Sequence, residues 1–94
     1  MEFRFTRLEI PDVVLVETPI SRDERGLFRE LYREPAFIAN GIRDHFMQDN
    51  GSHSVQGVLR GLHYQKQPRT QAKLVAVSAG NVWDVAVDIR RWCR

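Results

Sequence analysis

The side chains best suited to acid–base chemistry are His63 and Lys73, which fall in two successive β-rich runs of the chain. A histidine can abstract a proton from carbon when the resulting enolate is stabilised, and a nearby cation supplies that stabilisation electrostatically. The pair therefore suits proton abstraction next to a ketone. From the residue types alone, a partly buried histidine bonded to a backbone carbonyl remains the better-supported interpretation.

The polar residues around this pair form the densest constellation of functional groups in the sequence. Gly57 and Gly61 bracket Arg60, and a glycine inside a strand often marks a bulge or the close approach of a ligand. Twelve of the fourteen basic residues are arginine, whose planar fork suits phosphate or carboxylate. A small anionic ligand and a weakly basic surface without a ligand are both compatible with this composition.

Short strands are expected to position these side chains. Pro35 near a helix start and the Asn40-Gly41 stop predict one short helix over residues 35–40. The polar run 21–26 predicts a loop, and Gly80-Asn81 predicts a hairpin turn. About six strands with one helix indicate an all-β sandwich or barrel. The predicted strands are residues 13–16, 27–32, 46–54, 57–65, 73–78 and 82–89.

The length of 94 residues predicts one domain over residues 1–94. The single cysteine, Cys93, forms no intramolecular disulfide and indicates a reducing compartment. No apolar run approaches the roughly 20 residues of a membrane span, and the start lacks a signal-peptide layout. A cytoplasmic protein without a membrane partner is therefore expected.

Several common functional motifs are absent from the sequence. It contains no G-x-G-x-x-G, no G-x-x-x-x-G-K-[ST] and no G-x-S-x-G, so the usual nucleotide-fold and serine-hydrolase signals are missing. Arg90 and Arg91 are too few to specify a nucleic-acid site and are interpreted as solvated charge. No nucleic-acid partner is expected.

Five blocks of sequence, in order, resemble the dTDP-4-dehydrorhamnose 3,5-epimerase family. The L-R-G-L-H-[YF]-Q and D-V-A-V-D-[IL]-R blocks are specific when they occur together, and the resemblance runs over about residues 8–91. The blocks are Asp23-Glu24-Arg25-Gly26 with Phe28 and Glu30; Gln48-Asp49-Asn50; residues 58–65; Lys73-Leu74-Val75; and residues 80–91.

The resemblance implies a jelly-roll (cupin-like) β-sandwich and an isomerase of dTDP-L-rhamnose biosynthesis, a carbohydrate pathway. Its substrate would be a dTDP-linked 4-keto-6-deoxyhexose epimerised at C3 and C5, with no cofactor and with a homodimer as the active form. The implied roles are general base for His63; enolate stabilisation for Lys73; diphosphate binding for Arg25 and Arg60; thymine contacts, often made across the dimer, for Phe28 and Glu30; and contacts on the nucleoside side for Gln48 and Asn50.

No metal site is expected in this chain. Metal-binding cupins typically place two histidines one residue apart, whereas Gln65 occupies the position of the second histidine here. No acidic residue lies between His63 and Asp84, so the close N/O ligands of such a centre are missing. A metal-dependent cupin is the disfavoured alternative.

Two departures from the family pattern keep a second alternative open. Full members of the family are longer, and their tyrosine acid is expected outside these residues, because Tyr32 and Tyr64 do not match its position. The carboxylate that orients the histidine is expected there too. The ending Trp92-Cys93-Arg94 also leaves the pattern, which suggests a truncated or frameshifted reading frame. The chain would then be a catalytically inactive remnant that at most binds dTDP-sugars.

Overall fold

The structure is a computed structural model that describes residues 2–66 and 71–90. It divides into two compact units, one formed by Met1–Arg43 with Asn81–Arg94 and the other by Asp44–Gly80. The sequence departure at Trp92-Cys93-Arg94 lies outside the described residues. This division does not test whether the chain is one domain, so the single domain stays a prediction.

The first strand pair joins β1 (Arg4–Arg7) to β2 (Val14–Glu17) in antiparallel register. Phe5 lies opposite Val16, and both are half-buried. The polar residues of β1 are exposed, as expected for strands with one covered face. The strand predicted over residues 13–16 is confirmed within one residue, but β1 was not predicted. The alternation of Phe3 and Phe5 with Arg4 and Thr6 is the signal that indicates it.

An aromatic cluster against α1 is the small core of this unit. Phe37 is 1% exposed and is the only buried large hydrophobic residue in the described part of the chain. Its ring centroid lies 5.0 Å from that of Phe5, edge to face, and 5.6 Å from that of Phe3. Tyr32 packs against the same ring at 4.6 Å. Edge-to-face geometry is favoured because the positive ring edge meets the negative ring face.

Helix α1 (Glu34–Ala39) confirms the predicted helix within one residue. The chain leaves it through Gly41, whose φ of +89° is accessible to glycine without strain. The N–H of Gly41 donates to the carbonyl of Ile38 at 3.0 Å, and that of Ile42 donates to the carbonyl of Phe37 at 2.9 Å. This is the Schellman arrangement, which satisfies the last helical carbonyls.

The second strand pair is a hairpin of β3 (Ile20–Asp23) and β4 (Gly26–Arg29). The loop predicted over residues 21–26 is too long, because Ser21 to Asp23 form strand and only Glu24 and Arg25 make the turn. No described residue other than glycine has a positive φ. This excludes the type I′ and II′ turns at Glu24 and Arg25, and the residue order agrees with type I, which favours aspartate first and glycine fourth, as Asp23 and Gly26 stand here.

The four strands predicted over residues 46–54, 57–65, 73–78 and 82–89 are wrong for this chain, because the described residues there form neither strand nor helix. Gly57 and Gly61 have φ values of +90° and +108°, which interrupt an extended backbone. The runs from 73 and from 82 find no ladder partner among the described residues, and an unpaired strand is unstable in water. The predicted Gly80-Asn81 hairpin is likewise absent.

Four strands in two antiparallel pairs, with one short helix, are consistent with the predicted all-β class. The expected number of about six strands is not reached in the described residues. No helix in that part of the chain has the length and apolarity that a membrane crossing would need.

Candidate functional site

His63 and Lys73 both lie in the unit formed by Asp44–Gly80, and both side chains are exposed. The exposure of His63 rules out its interpretation as a partly buried structural histidine. Within residues 2–66 and 71–90, no hydrogen bond or ion pair of the structure engages either side chain. Both groups are accessible to a ligand from solvent.

The backbone before His63 is shaped by Gly61, whose φ of +108° is strained for any other residue. A Cβ placed on Gly61 would lie 3.7 Å from the backbone nitrogen of His63 and 3.9 Å from its Nδ1. These are ordinary contact distances, so a side chain at this position would meet His63 without a clash.

Three other predicted substrate-binding residues belong to the same unit. The Nε of Arg60 donates to the hydroxyl of Ser54 at 3.0 Å, which ties this arginine to the residue just before the turn of residues 55–58. Gln48 donates from Nε2 to the Oδ1 of Asn50 at 3.4 Å. The structure thus brings Gln48 and Asn50 together and leaves all three side chains exposed.

Arg25 lies at the tip of the β3–β4 hairpin, where Asp23 holds it by three hydrogen bonds. The backbone N–H of Arg25 donates to Asp23 Oδ1 at 2.9 Å, and its Nε and Nη2 donate to Oδ2 at 3.2 and 2.6 Å. The Arg25 side chain, and then its N–H, hold the pKa of the Asp23 carboxyl below its usual 3.8. The same bonds raise the pKa of Arg25.

Phe28 shares a hollow of about 460 Å³ with Arg25 on this hairpin. Phe28 faces Ser21 across the strand pair, and its ring is largely exposed. A cation and an exposed aromatic ring beside one hollow can together hold an anionic ligand that carries a flat ring. The hollow is lined by Ser21, Asp23, Arg25, Gly26, Leu27 and Phe28.

Glu30 follows β4 and pairs with Arg33, whose Nε and Nη2 donate to Glu30 Oε2 at 3.0 and 2.8 Å. The second carboxylate oxygen, Oε1, is buried and accepts no hydrogen bond within the described residues. A buried acceptor without a donor is unfavourable, so this oxygen is a local cost of the Glu30–Arg33 pair.

Arg90 is interpreted from the sequence as solvated charge, and the structure leaves its side chain 59% exposed while pairing it with two carboxylates. Its Nε and Nη2 bind Asp88 at 2.9 and 2.6 Å, its N–H donates to Asp88 at 3.0 Å, and its Nη1 donates to Asp12 at 2.5 Å. The carboxylates of Asp88 and Asp12 raise the pKa of Arg90. The repeated Asp-x-Arg spacing at Asp23 and Asp88 is the sequence signal for both arrangements.

The described residues contain no group of three His, Cys, Asp or Glu side chains placed to hold a metal ion. The prediction that this chain has no metal site continues to rest on the spacing around His63 and Gln65. The model of one protein family, dTDP-4-dehydrorhamnose 3,5-epimerase, matches residues 7–94. The chain belongs to this family.

Curated relatives support the assignment to the epimerase family. The chain is 54% identical over 87 residues to dTDP-4-dehydrorhamnose 3,5-epimerase of Pseudomonas aeruginosa, covering 92% of this chain and 48% of the relative. It is 51% identical over 86 residues to that of Shigella flexneri, covering 90% and 48%. For that of Methanothermobacter thermautotrophicus the identity is 47% over 90 residues, covering 96% and 48%.

The chain therefore spans about half the length of the curated epimerases it matches. No solved structure matches it. The family assignment thus rests on sequence, and the structure adds the local geometry of the residues that the family resemblance singles out.

Proposed function

We propose that this chain carries the substrate-binding and proton-abstracting part of a dTDP-4-dehydrorhamnose 3,5-epimerase, an isomerase of dTDP-L-rhamnose biosynthesis. The reaction converts dTDP-4-keto-6-deoxyglucose to dTDP-4-keto-L-rhamnose by inversion at C3 and C5. The observation that carries this proposal is the family match over residues 7–94, which includes every residue to which the resemblance gives a role.

His63 is the proposed general base. The C4 ketone of the substrate acidifies the hydrogens on C3 and C5, because loss of either proton gives an enolate conjugated with the carbonyl. The C–H electron pair moves into the new C=C bond, the carbonyl electrons move to the C4 oxygen, and the proton goes to the imidazole. The imidazole of His63 is exposed, so a substrate can reach it to transfer this proton.

Lys73 is proposed to stabilise the C4 oxyanion of the enolate. A cation placed where charge develops lowers the barrier more than it strengthens binding of the neutral ketone. No cofactor takes part in this scheme, since the substrate's own ketone supplies the electron sink. Return of the proton from the opposite face completes each inversion and needs an acid other than His63.

Arg25 and Arg60 are proposed to bind the diphosphate, and Phe28 and Glu30 to contact the thymine. The hollow that Arg25 and Phe28 share supports this assignment for those two residues. Gln48 and Asn50 are proposed to lie on the nucleoside side. The complete enzyme is proposed to be a cytoplasmic homodimer of cupin-like jelly rolls.

A binding-only remnant is the second candidate. The observation that favours it concerns the general acid. The ring centroid of Tyr32 lies 4.6 Å from that of Phe37, so this tyrosine packs in the aromatic cluster. A chain with a base but no opposed acid could exchange substrate protons with solvent on one face without forming the L-sugar.

Titration of the chain with dTDP, followed by isothermal calorimetry, tests the binding half of the proposal. Arg60→Ala is expected to weaken dTDP binding by about tenfold, because a charge-assisted contact to phosphate is lost. Arg43→Ala is the matched control, since Arg43 is also exposed and has no role in the proposal. Equal affinity of both variants for dTDP would remove Arg60 from the site.

A further inference from the structure

The two Asp-x-Arg pairs of this chain use the same donors toward the aspartate, although the oxygens that accept them differ. In both, an aspartate oxygen accepts the N–H of the arginine two residues later, at 2.9 Å in the first pair and 3.0 Å in the second. In both, the Nε and Nη2 of that arginine donate to the same carboxylate. The aspartate thus binds one edge of the guanidinium and fixes the direction of the other edge.

The remaining edge of the guanidinium is used differently in the two pairs. In Arg90, Nη1 donates to a second oxyanion, the carboxylate of Asp12, at 2.5 Å. In Arg25, Nη1 makes no hydrogen bond within the described residues, and its side chain is 85% exposed. A guanidinium has five N–H donors, of which Asp23 takes two; of the three that remain, one on Nη1 and one on Nη2 lie along the Nη1–Nη2 edge.

We propose that Asp23 is a positioning residue, which holds Arg25 so that its Nη1–Nη2 edge is presented to a phosphate group of the ligand. The Asp12 contact of Arg90 shows that an arginine held in this way can bind a second oxyanion through Nη1. The identification of the phosphate as part of a dTDP-sugar rests on the proposed function.

Two opposing effects decide the direction of the Asp23 contribution. Its negative charge repels a phosphate, but at an exposed site water and salt screen this repulsion strongly. In the other direction, the pair orders the long Arg25 side chain before the ligand arrives. Binding then does not bear the entropic cost of ordering that side chain. Preorganisation is the larger effect here, so loss of the pair weakens phosphate binding by about 3- to 10-fold.

Asp23→Asn separates the effect of the Asp23–Arg25 side-chain pair from the effect of the turn. An asparagine Oδ1 still accepts the N–H of Arg25, which preserves the turn, while its NH2 group cannot accept from the guanidinium. Asp23→Ala removes both contacts. Asp88→Asn is the matched control, because it breaks the equivalent bonds to Arg90 and leaves Arg25 untouched.

The experiment is calorimetric titration of the 94-residue chain and these variants with dTDP, thymidine and inorganic diphosphate. We expect both Asp23 variants to bind dTDP and diphosphate about 3- to 10-fold more weakly, with thymidine binding unchanged. In an Arg25→Ala background, a further change of Asp23 should have no effect on dTDP affinity. A merely structural role of Asp23 would lower the affinity for all ligands in both backgrounds.

The outcomes separate this inference from the proposed function. Unchanged or tighter dTDP binding by both Asp23 variants overturns the positioning role and leaves the epimerase proposal standing. Asp23-dependent binding of diphosphate, with no added affinity for dTDP, supports the positioning role and contradicts the proposed substrate. A chain that binds neither dTDP nor diphosphate overturns the positioning role as well.

Discussion

At the scale of single residues, Asp23 holds the tip of the β3–β4 hairpin, because its carboxylate binds both the backbone N–H and the guanidinium of Arg25. The resemblance singled out His63, Lys73 and Arg25 because their types and order are specific. It could not indicate that Asp23 already holds the guanidinium of Arg25, since that depends on the hairpin turn bringing the two side chains together. The same limit applies to Arg90, whose contact with Asp12, 78 residues away in the chain, no local pattern reveals.

A pH dependence of the hairpin tip follows from the Asp23–Arg25 pair. The pKa of Asp23 is lowered by the Arg25 side chain and N–H from its usual 3.8. A depressed pKa means that the carboxylate stabilises the fold above about pH 3.8, and that this contribution is lost as pH falls through the lower folded-state value. Carbon-13 NMR titration of the Asp23 carboxyl should give a midpoint below 3.8.

The control for this titration is Arg25→Ala, in which the midpoint should return towards 3.8. A wild-type midpoint at or above that value would mean that the pair does not form in solution.

At the scale of elements, the sequence predicted those elements that are stabilised by bonds between neighbouring residues. Pro35 and Asn40-Gly41 located α1 because a helix start and a Schellman end are built from neighbouring residues. The strands predicted after residue 45 are not formed in the described residues, although the residue types there favour strand. Strand formation needs a ladder partner from elsewhere in the chain, and sequence alternation alone does not supply one.

Gly41 provides a test of how α1 ends. Gly41→Ala should destabilise the helix end for two reasons: the φ of +89° is strained for alanine, and the new Cβ would lie 2.9 Å from Nη2 of Arg7. That Nη2 donates to the carbonyl of Asn40, so its displacement breaks a second contact. Amide hydrogen exchange at Ile42 should accelerate by roughly tenfold or more.

Gly51→Ala is the matched control for that change, because no atom lies within 4 Å of its added Cβ. Its φ also lies outside the positive range. Equal exchange rates at Ile42 in Gly41→Ala and Gly51→Ala would contradict the Schellman end.

At the scale of the whole molecule, the described residues bury very little apolar surface. Phe37 is the one large hydrophobic residue among them below 2% exposure, whereas Val82 and Trp83 are 70% and 92% exposed. Soluble monomers seldom expose so many apolar side chains, because each stays unfavourably hydrated. The jelly roll expected from the family would cover such residues, and its strands are not formed in the described part of this chain.

Self-association of the isolated chain is the expected consequence. Sedimentation equilibrium should give a mass above the 11.0 kDa of one chain, increasing with concentration, as exposed apolar side chains pack between copies. A monodisperse species of 11.0 kDa that melts cooperatively would contradict this expectation.

The most direct test of the account is proton NMR of dTDP-4-keto-6-deoxyglucose in D2O with the purified chain, following the C3 and C5 signals. The account predicts that both signals decline as deuterium replaces hydrogen, and that His63→Ala abolishes the exchange while Lys73→Ala slows it by about 100-fold or more. His45→Ala, which changes a histidine without a proposed role, should leave the exchange unchanged. Exchange without a new L-sugar would show a base acting without its acid. Absence of exchange with the wild-type chain, or exchange that survives His63→Ala, would contradict the assignment of His63 as the general base.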